Sequence, residues 1–238
     1  MGKNDEYSYR QFTIQQSHAA MKVGTDSDLL GTLSAAGNKI LDIGTGTGVI
    51  ALMLAQRCPE AHITAIEIDE QAVIDARANF SASPWTGRFT LLHRSFQEFL
   101  QTSDSEQFDC IVCNPPYFDR SLKCRNESKT IARHTSSLPF PILIGGAYGL
   151  LKDDGVFSVI IPPEVLEDFS ATCLIKGFRL QAIYRVKTVP EKAPRRYVLV
   201  HRKGQVDEVK DETFCLRNQD RSRSDWYIKQ LSDFHGHK

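Results

Sequence analysis

The sequence predicts an α/β fold, an open and mostly parallel sheet with helices on both faces, and three observations carry that expectation. At 238 residues and 41% apolar composition, the chain can bury one full core. From residue 38 onward, short β-rich runs alternate with helical stretches, the order that lays parallel strands side by side. The first run leads directly into Gly44-Thr45-Gly46-Thr47-Gly48, a glycine-rich turn placed where a strand hands over to a helix.

The elements follow in order. "NKILDIG" (38–44) reads as the first strand and "TGVIALMLAQRC" as its helix; "HITAIEID" (62–69) is the second strand. "EQAVIDARANFSAS" places Ala72, Val73, Ala76 and Phe80 at helical spacing, and "RFTLLHR" follows as the third strand. "FQEFLQ" is a short helix, and "FDCIVCN" (108–114) a strand apolar enough to be buried on both faces. The polar, aperiodic stretch 119–137 reads as a long mobile functional loop. "LPFPILIGGAYGLLKDDG" is expected to be a helix ending near Gly155, and "VFSVIIPP" the fifth strand. After the helix "EVLEDFSATCLIKG", the runs "FRLQAIYRVKTV" and "RRYVLVHRK" pair as a hairpin across "PEKAP". That gives seven strands with a C-terminal antiparallel one, then a charged tail whose Trp226, Tyr227, Ile228 and Leu231 dock as a short helix.

Composition excludes several classes. Twenty-nine basic residues balance 29 acidic ones, so a wholesale electrostatic nucleic-acid binder is disfavoured, local patches aside. No window reaches the apolar run of about 18 residues that a membrane span needs. "MGKNDEYSYRQF" lacks a signal-peptide core, and Glu6 stands where N-myristoylation wants Ser or Thr, so a cytoplasmic address is expected. Six scattered cysteines without an export signal read as reduced thiols. Cys110 and Cys113 lie three apart in a predicted strand and so point to opposite faces, which suits a buried structural pair; no metal site is expected.

Glycines at 44, 46 and 48 let the backbone turn sharply and approach a ligand beside free NH groups at a helix start. Gly46-x-Gly48-x-x-Ala51, with Glu67 about 20 residues on, also fits a dinucleotide fingerprint, which keeps a nicotinamide enzyme open. Asp42 separates the two readings. A carboxylate sits poorly beside a pyrophosphate but suits a cofactor carrying an ammonium and a sulfonium.

With these residues the chain resembles the Rossmann-like class I methyltransferases that use S-adenosylmethionine. The resemblance implies that Asp42, Gly44, Gly46 and Gly48 hold the methionine end and that Glu67, with Ile68 beside it, binds the ribose. Where that family often has an acid for the adenine amino group, this chain has Ser95 and Phe96, which become the expected adenine contacts.

The turn Asn114-Pro115-Pro116-Tyr117 begins where the fourth strand leaves the sheet, on the edge where ligands bind in open α/β folds. Its prolines fix φ and donate nothing, leaving the Asn114 side-chain oxygen and the Pro115 carbonyl as acceptors for one planar NH2 group. Accepting both hydrogens concentrates electron density on the nitrogen as it turns tetrahedral in attack on a methyl group. Tyr117 offers a stacking face worth about 1–3 kcal/mol to a base. No strong general base is needed, since the nitrogen becomes acidic once methylated. Asn114, Pro115 and Tyr117 are therefore the candidate catalytic residues, with Asn114 also reaching the cofactor.

This turn matches the fourth motif of the amino-methyltransferases, which modify adenine N6, a glutamine side-chain amide or guanine N2. "MKVGTDSDLLG" ahead of the first strand resembles the corresponding segment of the bacterial tRNA adenine N6-methyltransferases that act on the anticodon-loop purine, adenine 37, of valine tRNA. That resemblance implies one methyltransferase domain over 1–238, with 1–36 capping the cofactor pocket of a 37–238 core, and makes Lys22, Thr25 and Asp26 cofactor neighbours. A tRNA partner suits the basic residues Arg120, Lys123, Arg125, Lys129 and Arg133 in one segment and Lys187, Lys192, Arg195, Arg196 and Arg202 in another. Arg125, Arg195 and Arg196 are the candidate phosphate contacts. A protein glutamine N5-methyltransferase shares the turn, although no separate N-terminal helical domain is visible here, and a non-catalytic RNA-binding module stays as the third reading.

Overall fold

A computed structural model describes residues 5–103, 107–115 and 138–235. The chain opens with a small antiparallel hairpin, β1 (Glu6–Ser8) and β2 (Thr13–Gln15), and a helix α1 (Thr25–Leu33). The expected alternation follows: β3 (Lys39–Ile43), α2 (Val49–Arg57), β4 (His62–Glu67), α3 (Glu70–Ala82), β5 (Phe89–His93), α4 (Phe96–Thr102) and β6 (Phe108–Cys113). Beyond residue 138 come α5 (Phe140–Leu150), β7 (Leu151–Ile161), α6 (Leu166–Lys176), β8 (Arg179–Lys187), β9 (Pro194–Arg202), β10 (Lys210–Cys215) and α7 (Asp225–Gln230).

The main sheet runs β10-β8-β9-β7-β6-β3-β4-β5. Strands β7, β6, β3, β4 and β5 are mutually parallel, and β9 runs antiparallel between β7 and β8. Period-2 alternation feeds two cores, one on each face of the sheet. Ile40 packs with α2 on one face while Leu41 and Ile43 pack with α5 on the other. Cys110 and Cys113 divide the same way, both buried, as their odd spacing in a strand requires.

Two expectations are corrected. The sheet has eight strands among the described residues rather than seven, because Lys210–Cys215 pairs parallel to Arg179–Lys187 at the edge. "KDETFC" is mostly polar, and what fixes it is Phe214, stacked 4.0 Å from Trp226 of the docked helix α7. The helix expected to reach Gly155 ends at Leu150. Leu151 is fully buried opposite Phe108, and Asp154, at φ 64°, is drawn into the sheet by its NH on the Lys203 carbonyl at 2.7 Å.

The hairpin ahead of α1 is held by residues distant in sequence. Tyr9 donates to Asp28 Oδ1 at 2.6 Å, and the Arg10 NH bonds the Phe234 carbonyl at 2.8 Å. The rings of Tyr7 and Tyr9 both pack against His235.

Candidate active site

The parallel strands end on one edge, and the glycine turn, Glu67 and Asn114 emerge there. After Ile43 the chain turns through Gly44, Gly46 and Gly48 at φ 71°, 57° and 84°, the left-handed region that side chains other than glycine resist. The three glycines do different work. A methyl group on Gly44 or Gly46 would meet nothing within 4 Å, so their backbone faces open space that a ligand can occupy. One on Gly48 would lie 2.5 Å from the Phe80 ring, so Gly48 is there for close packing of the turn on α3.

Asp42 is fully buried beneath this turn. Thr45 Oγ1 donates to Asp42 Oδ2 at 2.6 Å, whereas Oδ1 is buried with no hydrogen bond. Burial pushes its pKa up to about 7; the Thr45 hydrogen bond opposes that rise and the Glu67 carboxylate adds to it. A buried carboxylate with one bare oxygen, next to open space over Gly44 and Gly46, fits the cationic methionine end of S-adenosylmethionine.

Glu67 closes the other side. Its Oε2 accepts from the Gly46 NH at 2.8 Å, and Oε1 from the NH groups of Ile68 and Asp69 at 2.8 and 2.9 Å. Three of roughly four acceptor directions are thus taken by backbone, leaving one outward for a hydroxyl. Ile68 is 56% exposed, an apolar surface at the strand end where an aromatic ring can lie.

β6 pairs with β3 so that Cys113 lies opposite Ile43. Half-buried Asn114 and buried Pro115 therefore leave the sheet one strand interval, about 4.8 Å, from the start of the glycine turn. Tyr117 and Arg125, with the whole 119–137 segment, lie outside the described residues.

Other expected contacts are placed differently. The Ser95 hydroxyl is engaged in a capping box: it donates to Glu98 Oε2 at 2.8 Å and accepts from the Glu98 NH at 3.2 Å. Phe96 is 4% exposed and its ring packs on Gly146, so it is a core residue rather than an open adenine wall. The Lys22 ammonium bonds the Gln16 carbonyl, and Thr25 bonds Tyr227 of the tail. Arg196 Nε donates to Asp26 Oδ2 at 2.8 Å, joining β9 to α1, so its charge is already paired. Arg195 beside it is exposed.

Sequence reading missed Asp75 and Asn79. Asn79 is 1% exposed; its Oδ1 accepts the Gln15 NH at 2.7 Å, and its Nδ2 donates to the Gln15 and Thr47 carbonyls at 2.9 and 2.8 Å. Asp75, one turn earlier, accepts the NH groups of His18 and Ala19 at 3.0 and 2.8 Å and pairs with His18 Nδ1 at 2.7 Å. Together they fasten segment 15–19 across α3 and onto the glycine turn. Their signal was present: two polar residues at i, i+4 on the face of α3 that buries Ala72, Val73, Ala76 and Phe80.

Among the described residues no helix is long and apolar enough to cross a membrane, and no group of three metal-ligating side chains is found. The model of the family described as "Methyltransferase small domain" matches residues 16–138. The chain is 42% identical over 234 residues to the tRNA1(Val) (adenine(37)-N6)-methyltransferase of Phocaeicola vulgatus, covering 98% of each. It is 43% identical over 199 residues to the protein of that name from Flavobacterium psychrophilum, covering 82% of this chain and 84% of the relative. In fold it is similar to a predicted O-methyltransferase from Agrobacterium tumefaciens, with a TM-score of 0.68 at 17% identity, over 90% of this chain and 98% of that one.

Proposed function

We propose, for a chain that belongs to the tRNA1(Val) (adenine(37)-N6)-methyltransferase family, that it methylates the exocyclic N6 of adenine 37 in tRNA1(Val), in the cytoplasm, with S-adenosylmethionine as donor. The observation that carries this reading is the juxtaposition of Asn114-Pro115 and the glycine turn on neighbouring parallel strands. It brings two acceptors for an amino group beside a cradle for a cationic nucleoside. We read residues 1–36 as a cap on the 37–238 core of one methyltransferase domain.

When bound, S-adenosylmethionine supplies a methyl group activated by its sulfonium. The backbone over Gly44 and Gly46, with Asp42 beneath, binds its charged end, and Glu67 orients the ribose. Asn114 Oδ1 and the Pro115 carbonyl accept the two amino hydrogens of the adenine and hold its nitrogen lone pair toward the methyl donor. Tyr117 stacks on the flipped base, offsetting part of the few kcal/mol that unstacking costs. The proton then leaves the methylated nitrogen for solvent without a dedicated base. Arg125 and Arg195 contact phosphates flanking the site, while Arg196 ties β9 to α1 through Asp26.

The test is transfer of labelled methyl to tRNA that lacks the modification, followed by nucleoside analysis. N6-methyladenosine at position 37 of valine tRNA is expected. Label found only in protein glutamine would replace this reading with the protein-substrate one.

A further inference from the structure

The tail carries a surface that the site above does not use. Past β10 the chain stays against the end of β8, the Leu216 and Arg217 NH groups bonding the Lys187 and Thr188 carbonyls at 2.9 and 3.0 Å. It then folds into a tight turn over 217–223. The Asn218 NH bonds the Ser222 carbonyl and the Arg221 NH bonds the Asn218 carbonyl, both at 3.0 Å, and Arg217 Nη1 bonds the Arg221 carbonyl at 2.7 Å. Arg221 holds φ 68°, a left-handed conformation that side chains other than glycine resist. A glycine there would be relaxed, and the strain marks a turn shaped to present its side chains.

What it presents is positive charge. Arg217, Arg221 and Arg223 are all exposed. The turn's one acid, Asp220, is exposed as well, its Oδ1 accepting from the Ser222 NH at 2.9 Å and the Ser222 hydroxyl at 2.6 Å, so three guanidinium groups stand against one carboxylate. Arg217 and Arg221 line a depression of about 330 Å³ with Lys192 and Glu191 from the β8–β9 connection, three cations to one acid. Arg217 also lines a second depression of about 250 Å³ with Arg223, the rings of Tyr7 and Tyr227, and the buried Asp28, whose Oδ1 is taken by Tyr9.

Strand register puts this surface on the same edge of the sheet as the active site. Lys187 at the end of β8 adjoins Cys215 of β10 on one side and Pro194 of β9 on the other, and the start of β9 lies opposite the end of β7, next to β6. Four strand intervals of about 4.8 Å separate Asn114 from this end, roughly 19 Å.

We infer that the turn 217–223 and the β8–β9 connection form a phosphate-binding surface for the RNA substrate, several nucleotides away from the base being methylated. The inference rests on the tRNA reading above. Phosphate contacts set register without reading sequence, so this surface positions the anticodon arm so that its loop reaches Asn114.

The experiment measures binding of a valine tRNA transcript across a salt series, with steady-state kinetics, for Arg223→Gln, Arg217→Gln and Arg221→Gly. Each lost phosphate contact is expected to flatten the slope of log affinity against log salt by about 0.7–0.9 and to raise KM for tRNA about fivefold near physiological salt. Turnover at saturating tRNA and affinity for S-adenosylhomocysteine stay at wild-type values. Arg221→Gly separates recognition from folding, because relief of the strained φ holds or raises Tm while RNA binding weakens. An active wild type whose three variants keep its salt slope overturns the surface alone. A wild type that methylates no tRNA overturns the reading beneath it, and the surface with it.

Discussion

The glycine turn allows one prediction in which two neighbouring substitutions of the same kind have opposite consequences. Gly46→Ala and Gly48→Ala each place a side chain at a positive φ, 57° and 84°, which costs about 1–2 kcal/mol. At Gly46 that is the whole stability cost, since the added methyl meets nothing within 4 Å. At Gly48 the methyl lands 2.5 Å from Phe80 Cε1, on a ring stacked 4.2 Å from Phe89 with 4° between planes, so it cannot turn aside freely. Overpacking adds about 1–3 kcal/mol. For a chain of this size, 1 kcal/mol moves Tm by about 2–4 °C, so Gly46→Ala is expected to lose about 2–8 °C and Gly48→Ala several degrees more. Titration with S-adenosylhomocysteine should give the reverse order: Gly46→Ala fills the ligand's space and loses about tenfold or more in affinity, about 1.4 kcal/mol, while folded Gly48→Ala binds closer to wild type. Calorimetric scans and isothermal titration of both variants decide it. If Gly48→Ala is the poorer binder and Gly46→Ala the less stable, the division of roles among these glycines is wrong.

Asp42 has a folded pKa of about 7 against 3.8 as its ordinary value, so the unfolded state ionises first as pH rises. The stability this group contributes is present below about pH 4 and is lost as pH climbs through 7; denaturation of wild type against Asp42→Asn should diverge by a few kcal/mol over that window. S-adenosylhomocysteine affinity should correspondingly increase with pH up to about 7 in wild type and be flat in Asp42→Asn; equal pH profiles would remove Asp42 from the pocket. Asn114→Ala should abolish turnover with cofactor affinity nearly unchanged, and an equal loss of both would make the turn structural. Asn79→Ala leaves the Gln15 NH and the Gln15 and Thr47 carbonyls without their partner, so a loss of about 2–4 kcal/mol in denaturant unfolding is expected, with faster amide exchange over 15–19 than over β3. Unchanged exchange there would refute the fastening role.

How much of this was legible depended on whether the physics was local. The alternation from β3 to β6, the β8–β9 hairpin and the docked helix α7 follow from periodicity and turn residues within each segment. So do Asp42, Glu67 and Asn114, whose places at strand ends are fixed by topology once the strands are known. β10 was not legible, because an edge strand of mostly polar residues depends on groups outside its own segment, the Trp226 ring and the edge of β8. Nor was the capture of Ser95 by Glu98: a cap and a ligand contact call for the same residue type, and only geometry separates them. Arg196 shows the same ambiguity for charge, read as free for phosphate and found on Asp26, 170 residues away.

The fastening of the first strands to Asp28, Phe234 and His235 bears on how the protein is born. Segment 15–19 is anchored early in synthesis through α3, and the hairpin finds Asp28 and Trp85 soon after, but its contacts with Phe234 and His235 wait until residue 235 has cleared the ribosome. Contacts spanning more than 200 residues are slow to find and form last. A nascent chain therefore builds its glycine turn well before its N-terminal hairpin is fully secured, and truncation a few residues short of 235 is expected to keep the strand-end groups in place while the hairpin loosens.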